Sequence, residues 1–564
     1  MNQLNGGEAA VLMLKAHGVR HIFGLCGDTS LPFYDALARL DHGMTHILTR
    51  DERHAAYMAD CYARVSGRVG VCEGPSGGGA TYMVPGVVEA NESSIPVLAI
   101  TTDISVSSRG KFTLTELDQE ALFRPLTKSS KVIDRAAELP AVFRAAFRAM
   151  TSGRPGAAHI GLPFDVQRDP VDEADVRGDP ALGVFPARRI GPDPEQVEAA
   201  ADALASASEP LFICGGGPVI AGAEAELVAI AELLEAPVAT TVSGQGAIAD
   251  DHPLAVGVVG SNGGVVETRE IVLGADLVCF VGCRAGSVTT ERWRYPQPGK
   301  ARIVQIDPDP AVLGATYPAE VAVLGDAKLM LAALLAALRE RIEEPPARTR
   351  GRAAVAAAKQ RKFAAFEELA RSGERPIRPE RVVATLNALL PEDAIIVADP
   401  GTPCPYFSAF YRCNRTGRHF ISNRAHGALG YSIAGAVGAH FGRPGAKVVS
   451  VMGDGSFGFA CGELETIARL RLPITFVVFS NASYGWIKAG QKTGYEGRYF
   501  SVDFSRTDHA RVAEAFGLKA WRVEDPQELE PTLRKALEAG GPTLVDVIAQ
   551  PLQEARAPVS EWVA

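Results

Sequence analysis

The sequence predicts an α/β protein with three doubly wound parallel-sheet domains, and three observations carry this prediction. At 564 residues, the chain is long enough for three domains of ordinary size, each with its own core. Short apolar stretches alternate with helical stretches along most of the chain, which is typical of parallel sheets covered by helices on both faces. One charged, Ala-rich stretch with a Pro pair interrupts this alternation.

The interruption and the strand-like stretches divide the chain into blocks. The first block, 1–185, contains HIFGLCG, RVGVCEGPSG and IPVLAIT. The second block, 190–340, contains PLFICGGGPVI, ADLVCFVGCRAG and ARIVQIDPDP. The stretch 341–375 is predicted to be a linker that becomes helical. The third block, 376–564, contains AIIVADPG, KVVSVMGDG, ITFVVFSN and PTLVDVIAQ, and ends in a C-terminal tail.

Charge and composition argue against several classes of function. The formal charge of −9, with Lys and Arg spread along the chain, makes nucleic acid an unexpected partner. No leader-like start and no run of about 18 apolar residues is present, so we expect a cytoplasmic protein that does not enter a membrane. Nine cysteines without a CxxC pair favour reduced core thiols over disulfides or a zinc site.

The stretch VMGDGSFGF places glycines and a serine where an apolar strand ends and a helix begins. In an open parallel sheet, ligands bind beyond the carboxyl ends of the strands, next to helix N-termini. Gly453 and Gly455 allow the backbone to approach a bulky anion, and the amides around Ser456 are placed to donate to phosphate oxygens. The stretch therefore predicts a diphosphate site.

Asp454, between the two glycines, predicts a metal ion. A carboxylate beside a phosphate repels it unless a cation lies between them, and Mg²⁺ prefers oxygen ligands. Asn481 lies 27 residues further on, at the end of the next predicted strand, and supplies an amide oxygen. The backbone carbonyl of Ser483 completes the predicted ligand set. The alternative is an ordinary strand-turn-helix in which Asp454 caps the helix.

This spacing resembles the signature of thiamine diphosphate enzymes, which opens with GDG and closes with an Asn pair. Ser480 replaces the first Asn of that pair, while Asn481 is kept. The stretch RDERHAAYMADCYARVSG resembles the helix of the same family that carries a glutamate, and Glu52 occupies the glutamate position. The resemblance implies that Glu52 shares a proton with the aminopyrimidine ring of the cofactor and so activates it. A solvated acid at a helix start is the alternative for Glu52 considered alone.

Two further stretches match the cofactor contacts of this family. NRAHGALGYSIAGAVGAHFG resembles the segment that supplies a backbone carbonyl to the cofactor's amino group and an apolar residue that bends the cofactor. The resemblance assigns these roles to Gly427 and Leu429, although core packing is the alternative for Leu429. Gly401 and Thr402, in ADPGTPCPYF, are expected at the diphosphate end.

The resemblance covers essentially the whole chain and points to the acetolactate synthase-like family. It implies a pyrimidine-binding domain, a central Rossmann-like domain and a diphosphate-binding domain. It also implies a homodimer or homotetramer with active sites between subunits. One departure is EGPSGGGATYMVPGV, which stands where the family has SGPGATN, so the loop near the reacting carbon is expected to differ.

The sequence resembles one branch of the family more than the synthases themselves. LTELDQEALFRP lacks the Phe-Gln-Glu of true acetolactate synthases, and no Gln-Trp follows NASYG. ELDQ is similar to oxalyl-CoA decarboxylases and 2-hydroxyacyl-CoA lyases, which places Gln119 near the cofactor's amino group. That branch often holds a nucleotide such as ADP in its central domain, where Gly215–Gly217 and the acids of QIDPDP are plausible contacts; a tight turn is the alternative. FAD is not expected.

Residues around the reacting carbon are predicted from the same loops. Asp28, Tyr484 and Trp486 are the candidates for contact with substrate or cofactor, and Glu496 is the candidate for proton transfer to or from substrate. Cations on the loop after the Asn motif and in the C-terminal tail are candidates for CoA phosphates, with a solvated surface as the alternative. These cations are Lys488, Lys492, Arg498 and Arg556.

These features together predict a thiamine diphosphate- and Mg²⁺-dependent carbon-carbon lyase or ligase. The favoured reaction is cleavage of a 2-hydroxyacyl-CoA to an aldehyde or ketone plus formyl-CoA. One alternative is an acetolactate synthase-type condensation of 2-keto acids, or a flavin-using oxidase of the same fold. Another is a non-catalytic binding partner, which the presence of Glu52, Asp454 and Asn481 disfavours.

Overall fold

A computed structural model describes residues 3–560, and the N-terminal part of the chain forms a parallel sheet of six strands. The strands of this part are β1 (Gln3–Asn5), β2 (His21–Gly24), β3 (Thr45–Leu48), β4 (Gly70–Gly74), β5 (Val97–Asp103), β6 (Ser129–Val132), β7 (Ala158–Pro163) and β8 (Pro170–Asp172). The helices are α1 (Gly6–Ala16), α2 (Leu31–Arg39), α3 (Glu52–Ser66), α4 (Gly78–Glu92), α5 (Gln119–Phe123) and α6 (Leu139–Thr151). The sheet order is β3-β2-β4-β5-β7-β6, while β1 and β8 pair antiparallel.

The middle part forms a second parallel sheet of six strands. These are β9 (Pro210–Cys214), β10 (Val238–Thr240), β11 (Ala255–Val258), β12 (Leu277–Val281), β13 (Arg302–Asp307) and β14 (Val321–Leu324). The helices are α7 (Pro194–Ser206), α8 (Gly217–Ala221), α9 (Glu224–Leu234), α10 (Val266–Leu273) and α11 (Ala327–Arg339). The order is β11-β10-β9-β12-β13-β14, with apolar clusters on both faces of the sheet.

The C-terminal part adds a third sheet. Its helices are α12 (Arg352–Ala370), α13 (Pro379–Leu389), α14 (Pro403–Phe410), α15 (Tyr431–Gly442), α16 (Asp454–Ala460), α17 (Leu464–Arg469), α18 (Gly485–Gly494), α19 (His509–Ala515) and α20 (Leu529–Glu538). Its strands are β15 (Ile395–Ala398), β16 (Phe420–Ser422), β17 (Val448–Gly453), β18 (Ile474–Ser480), β19 (Lys519–Val523) and β20 (Thr543–Ile548). They follow the order β16-β15-β17-β18-β20-β19, and all neighbours are parallel.

The α/β fold with three doubly wound parallel sheets is therefore confirmed. The strand order reverses between β2 and β4 in the first sheet, between β9 and β12 in the second, and between β15 and β17 in the third. In the first and third sheets the order of the last two strands is also exchanged, because β6 and β19 lie at the edge. Such reversal points open a crevice at the carboxyl edge of the sheet, where ligands bind. Each sheet falls within one of the three predicted blocks, and the block boundaries themselves remain a prediction. Within the stretch predicted to be a linker, the structure has α12.

The chain divides into two compact units rather than three. The first unit comprises residues 3–188, Asn423–Gly445 and Ala460–Leu472. It therefore contains the N-terminal sheet together with α15 and α17, although these helices come from the third block. The second unit comprises Arg189–Ser422, Ala446–Phe459 and residues 473–560, and it contains the other two sheets.

Within the first unit, α15 packs backbone to backbone against α3. A Cβ atom at Gly438 would lie 2.0 Å from the carbonyl oxygen of Met58, and one at Gly442 would lie 3.0 Å from that of Tyr62. Asp51 is the N-cap of α3, because its side chain accepts the backbone N–H of Arg53 at 2.8 Å. Glu52 is therefore the first residue of a helix that is held against α15 without intervening side chains.

Two further findings bear on the expectations from composition. Among the helices of residues 3–560, none combines the length and the apolar character that a membrane crossing requires. All nine cysteines are free thiols, and seven of them are buried. Their placement agrees with the expectation of core thiols.

Candidate active site

The carboxyl ends of β15, β17 and β18 bring three of the predicted cofactor residues together in the second unit. The three strands are neighbours in the sheet, with Ala398 beside Val451 and Gly453 beside Phe479. Thr402, Asp454 and Asn481 each follow the end of one of these strands. Because neighbouring parallel strands end at the same edge of a sheet, the three residues lie close together. Their meeting place is the point at which the strand order reverses, as predicted for a ligand site.

Asp454 ties two of these strand ends together. Its Oδ2 accepts the backbone N–H of Asn481 at 2.7 Å and that of Ala482 at 2.6 Å, and its Oδ1 accepts the N–H of Gly455 at 2.9 Å. Burial raises the pKa of Asp454 above its ordinary value, while these N–H bonds and His509 act in the opposite direction. The carboxylate therefore has a structural role in addition to any role as a ligand.

The donor set around Asp454 fits a Mg²⁺ ion. It offers a carboxylate that is 6% exposed and the amide of Asn481, whose Oδ1 also accepts the hydroxyl of Ser483 at 3.1 Å. Asn481 Nδ2 is buried and has no hydrogen-bond partner within residues 3–560. Oxygen ligands from few protein groups are what Mg²⁺ requires. The carbonyl of Ser483 accepts the N–H of Gly485 at 2.9 Å, so that carbonyl is fixed within a turn.

At one glycine of the site, Gly455, a close contact leaves little room for a side chain. A Cβ at Gly455 would lie 2.8 Å from Cε1 of Tyr484, whose ring also packs edge-on against Phe504 with centroids 5.2 Å apart. A Cβ at Gly485 would lie 3.4 Å from the hydroxyl of Thr402. Tyr484 and Thr402 are therefore adjacent to the loops that follow β17 and β18. Three more predicted residues lie at these strand ends, namely half-buried Gly401 with a φ of +105°, half-buried Gly453 and buried Ser456.

Sequence reasoning missed a polar cluster beneath this loop. The hydroxyl of Ser480 contacts Nδ1 of His509 at 2.9 Å and donates to Asp546 on β20. Ser480, which replaces the family's first Asn, is thus part of a buried network. A cavity of about 230 Å³ adjoins it and is lined by Asp454, Asn481, His509 and Arg506, among others. The substitution of Asn by Ser was the only signal of this cluster in the sequence.

In the first unit, Glu52 lies at the start of α3 and is 6% exposed. Burial raises the pKa of Glu52 above its ordinary value, and Asp51 and Glu73 raise it further. No basic side chain contributes to this shift. A carboxyl group in such surroundings favours its protonated form, which is the property that the predicted role demands.

The loop after β4 leaves room for the Glu52 side chain. A Cβ at Gly79 would lie 2.9 Å from Glu52 Oε1, and a Cβ at Gly74 would lie 3.0 Å from its Cγ. The stretch EGPSGGG thus includes two glycines, Gly74 and Gly79, at which an added side chain would crowd Glu52. Glu73, which the sequence analysis did not single out, is a fully buried carboxylate that accepts the hydroxyl of Tyr34 and contacts His46 Nε2 at 3.2 Å.

Gln119 lies in the interior of the first unit and is 1% exposed. Its Nε2 donates to the carbonyl of Thr102 and to Oδ1 of Asp103, both at 3.0 Å, and its Oε1 accepts the hydroxyl of Thr101. Both amide protons are therefore used by protein acceptors. This arrangement suits a residue that supports the site, and contact between Gln119 and the cofactor's amino group remains a prediction.

Asp103, the partner of Gln119, should make the stability of the protein depend on pH. Burial raises the pKa of Asp103 to about 6, against an ordinary value of 3.8, although Ile104 N–H, Arg109 and Gln119 act in the opposite direction and Glu116 adds to the rise. The folded state therefore holds this proton more tightly than the unfolded chain does. The resulting stabilisation is complete below pH 3.8 and is lost as pH rises through about 6.

We therefore expect Asp103→Asn to gain stability relative to the wild type as pH rises from 4 to 7, by about 2 kcal/mol. Urea unfolding of both proteins at a series of pH values measures this difference. Asp134→Asn, which removes an exposed acid that also pairs with Arg109, is the matched control. Parallel pH profiles for Asp103→Asn and the wild type would show that the carboxyl does not titrate in this range.

Three other predicted residues of the first unit are accessible. Asp28 is exposed at the start of a short 3₁₀ helix after β2. Gly427 is exposed with a φ of +74°, a conformation that favours glycine, and Leu429 is half-buried. Their exposure is compatible with ligand contact, and their roles remain predictions.

The segment after Asn481 carries the remaining candidates. Glu496 is exposed, has a φ of +55° and pairs with Arg498 at 2.5 Å, while Trp486 packs partly buried against the core. Lys488 pairs with Asp503 at 2.6 Å, and Lys492 donates to the carbonyl of Gln553 at 2.5 Å. Three of the four cations considered for CoA phosphates thus have protein acceptors, and the fourth, Arg556, is exposed in the C-terminal tail.

The glycine run after β9 has a structural explanation. A Cβ at Gly215 would lie 2.1 Å from the carbonyl oxygen of Gly282, and a Cβ at Gly217 would lie 2.5 Å from the Cα of Gly282. The turns after β9 and β12 therefore pack backbone to backbone. This finding favours the tight turn that was the alternative to a nucleotide contact.

Comparisons with known proteins extend these findings to the whole chain. Residues 4–122, 197–334 and 399–547 match the N-terminal TPP binding domain, the central domain and the C-terminal TPP binding domain of thiamine pyrophosphate enzymes, respectively. A probable acetolactate synthase large subunit of Methanocaldococcus jannaschii is 35% identical over 98% of this chain and 93% of its own length. Acetolactate synthase isozyme 3 large subunit of Escherichia coli is 31% identical over 95% and 93%, respectively.

Proposed function

Because the chain belongs to the acetolactate synthase-like family of thiamine diphosphate-dependent enzymes, we propose that it decarboxylates a 2-keto acid and joins the remaining fragment to a second 2-keto acid. The observation that carries this proposal is the end-to-end similarity to proteins named acetolactate synthase. The 2-hydroxyacyl-CoA lyase that ELDQ favoured finds no support among these relatives. The condensation that was its alternative is therefore our proposal.

The second unit is proposed to hold the diphosphate and its metal. Asp454, the amide oxygen of Asn481 and the carbonyl of Ser483 would bind Mg²⁺, and the backbone around Gly453, Gly455 and Ser456 would approach the phosphates. Thr402 and Gly401 would contact the same end of the cofactor. When bound, the thiazolium ring of thiamine diphosphate supplies the electron sink that decarboxylation of a 2-keto acid requires.

Glu52 is proposed to hold the proton that activates the pyrimidine end. Its side chain is buried, lies against Gly74 and Gly79, and receives no basic partner that would keep it ionised. A carboxyl group of this kind donates to a ring nitrogen and forms a strong, charge-assisted bond once the proton is shared. Gly427 would accept from the amino group of the ring, and Leu429 would pack against the cofactor.

The substrate end is where this chain departs most from the synthases it resembles. No Gln-Trp pair occurs in α18, and the first unit has ELDQ in place of the Phe-Gln-Glu region. We therefore propose that the first 2-keto acid is bound as in the family, whereas the second is bound by other groups. Gln119, Asp28, Trp486, Tyr484 and Glu496 remain the candidates.

Turnover of pyruvate decides this proposal. We expect the purified protein, with thiamine diphosphate and Mg²⁺, to release CO₂ from pyruvate and to form acetolactate, detected by mass spectrometry. 2-Hydroxyisobutyryl-CoA is the parallel substrate, and we expect no formyl-CoA from it. Cleavage of the thioester with no product from pyruvate would instead favour the lyase, and would leave only the cofactor assignment in place.

Three other properties of the protein belong to the same proposal. We propose a homodimer or homotetramer, since exposed apolar side chains such as Tyr495, Tyr499 and Phe500 cluster on one segment and are the kind that assembly buries. We propose the cytoplasm as its compartment. Binding of ADP in the central domain is a further proposal. The packing of the Gly215–Gly217 turn against Gly282 explains these glycines without a nucleotide and so argues against it. A visible spectrum and mass spectrometry of released cofactors test for ADP and for FAD.

A further inference from the structure

A buried cluster of charged side chains lies in the first unit, next to the segment that carries Gly427 and Leu429. It consists of Asp60 and Arg64 on α3, Glu89 on α4 and Tyr431 on α15, none more than 8% exposed. Arg64 Nε donates to Asp60 Oδ2 at 2.8 Å, and its Nη2 donates to Glu89 Oε1 at 3.0 Å. One arginine thus faces two carboxylates, and its side chain is 3% exposed.

Glu89 has partners outside this ion pair. Its Oε2 accepts the backbone N–H of His426 at 2.7 Å and that of Ala425 at 3.2 Å. The hydroxyl of Ser93 donates to Oε1 at 2.8 Å. A carboxylate with no exposed surface needs such donors, because a buried charge without them costs several kcal/mol. The Glu89 carboxylate therefore needs the N–H groups of Ala425 and His426 as donors. The backbone at these two residues is in turn held in place by the carboxylate.

The same cluster fixes the other end of this loop. Tyr431, the first residue of α15, donates its hydroxyl to Asp60 and contacts Cys61 Sγ at 3.0 Å. Between the two ends, Asn423 Nδ2 donates to the carbonyl of Ala428 at 2.6 Å. The segment 425–431 is thus held at its start, middle and end.

Burial does little to order the start of this segment. Ala425, His426 and Gly427 are exposed, and Gly427 and Gly430 both have positive φ values. Glycines in such conformations lose more backbone entropy on ordering than other residues do. Order at the start of the segment therefore depends on hydrogen bonds to buried groups, and Glu89 accepts two of them.

We propose that Glu89 is a positioning residue, which holds the segment 425–431 so that the Gly427 carbonyl and the Leu429 side chain meet the aminopyrimidine end of thiamine diphosphate. The inference rests on the cofactor assignment of the proposed function, but it does not depend on the substrate. Glu89 acts through the backbone of Ala425 and His426. Diphosphate binding, which is assigned to the second unit, should not depend on Glu89.

Glu89→Gln tests the proposal, because the amide keeps the size and one acceptor oxygen but places an NH₂ group against Arg64 or the backbone N–H donors. We expect faster deuterium uptake in the apo protein for a peptide covering residues 423–430. We also expect the Kd for thiamine diphosphate with Mg²⁺ to rise about tenfold by calorimetry. The Kd for inorganic pyrophosphate with Mg²⁺ should stay within about twofold, since it reports on the clamp of the second unit alone.

Ser93→Ala is the matched control, since it removes a hydrogen bond to Glu89 but leaves the contacts with Arg64 and the loop. It should leave both Kd values unchanged. If Glu89→Gln does not fold, Glu89→Asp decides through the same measurements, because it keeps the charge but is one methylene shorter. Unchanged deuterium uptake in residues 423–430, or faster uptake with an unchanged thiamine diphosphate Kd, overturns the proposal. Failure of the wild type to form acetolactate would instead refute the substrate assignment and leave these titrations interpretable.

Discussion

Glu52→Gln should lower turnover about a hundredfold or more while leaving thiamine diphosphate bound. The glutamine has nearly the same shape and fills the space beside Gly74 and Gly79, so the loop after β4 is not disturbed. It has no acidic proton to share with the pyrimidine ring, so activation of the cofactor is lost. Product formation from pyruvate at saturating cofactor measures the loss, and calorimetry measures cofactor affinity.

The neighbouring Asp51→Asn variant serves as the control for Glu52. Asp51 is an acid of the same turn, and it caps α3 and pairs with Arg53 at 2.8 Å. Its amide replacement keeps an acceptor for the N–H of Arg53, so activity should change little. Wild-type turnover by Glu52→Gln would remove Glu52 from the catalytic groups. A loss of cofactor binding by Glu52→Gln would show instead that Glu52 acts in assembly of the site.

Asp454→Asn should weaken thiamine diphosphate binding by more than the roughly 10- to 100-fold that removal of an outer-shell metal partner costs. The amide oxygen still accepts the N–H groups of Asn481 and Ala482, so the strand ends remain tied, but the charge opposite the metal is lost. Calorimetric titration of the apo protein with cofactor, with and without Mg²⁺, measures the effect. Prolonged chelation should release cofactor from the wild-type protein but have little further effect on the variant.

Asp454→Ala separates the two roles of this carboxylate. It removes the acceptor as well as the charge and leaves the backbone N–H groups of Asn481, Ala482 and Gly455 without this partner, so it should also lower stability, by about 1–3 kcal/mol. Asp503→Asn, on the exposed segment that follows, is the control for loss of an acid nearby. Equal cofactor affinity of the wild type with and without metal would show that Asp454 and Asn481 are not a metal site.

The parts of the site that follow strand ends were predictable, because a local pattern determines them. An apolar run that ends in Gly-Asp-Gly, and a second that ends in Ser-Asn, place Asp454 and Asn481 at one edge of a parallel sheet whatever the rest of the chain does. The alternation of strands and helices likewise predicted the three sheets. Each of these predictions depends only on residues that are close in the sequence, within about one strand-helix-strand unit.

The parts that depend on distant partners were not predictable from one sequence. Glu89 lies 337 positions from His426, and nothing in the spacing of either stretch indicates that they meet. The periodicity of α15 likewise gives no sign that this helix belongs to the N-terminal unit. Burial raises the pKa values of Asp103 and Glu73. Both acids lie in strands, and the apolar pattern of these strands does not predict that the two carboxylates are buried.

The contact between α3 and α15 limits how this site can be changed. Because Gly438 leaves no room for a methyl group above the Met58 carbonyl, the helix that begins at Glu52 and the helix that follows the Gly427 loop behave as one solid piece. An engineer can replace exposed side chains of the segment after Asn481, such as Glu496 and Arg498, without disturbing a packed contact. The same engineer has almost no freedom along the α3–α15 contact, where one added carbon would move Glu52 and the loop before α15 at once. Substitutions that alter specificity in this chain must therefore leave the α3–α15 contact unchanged.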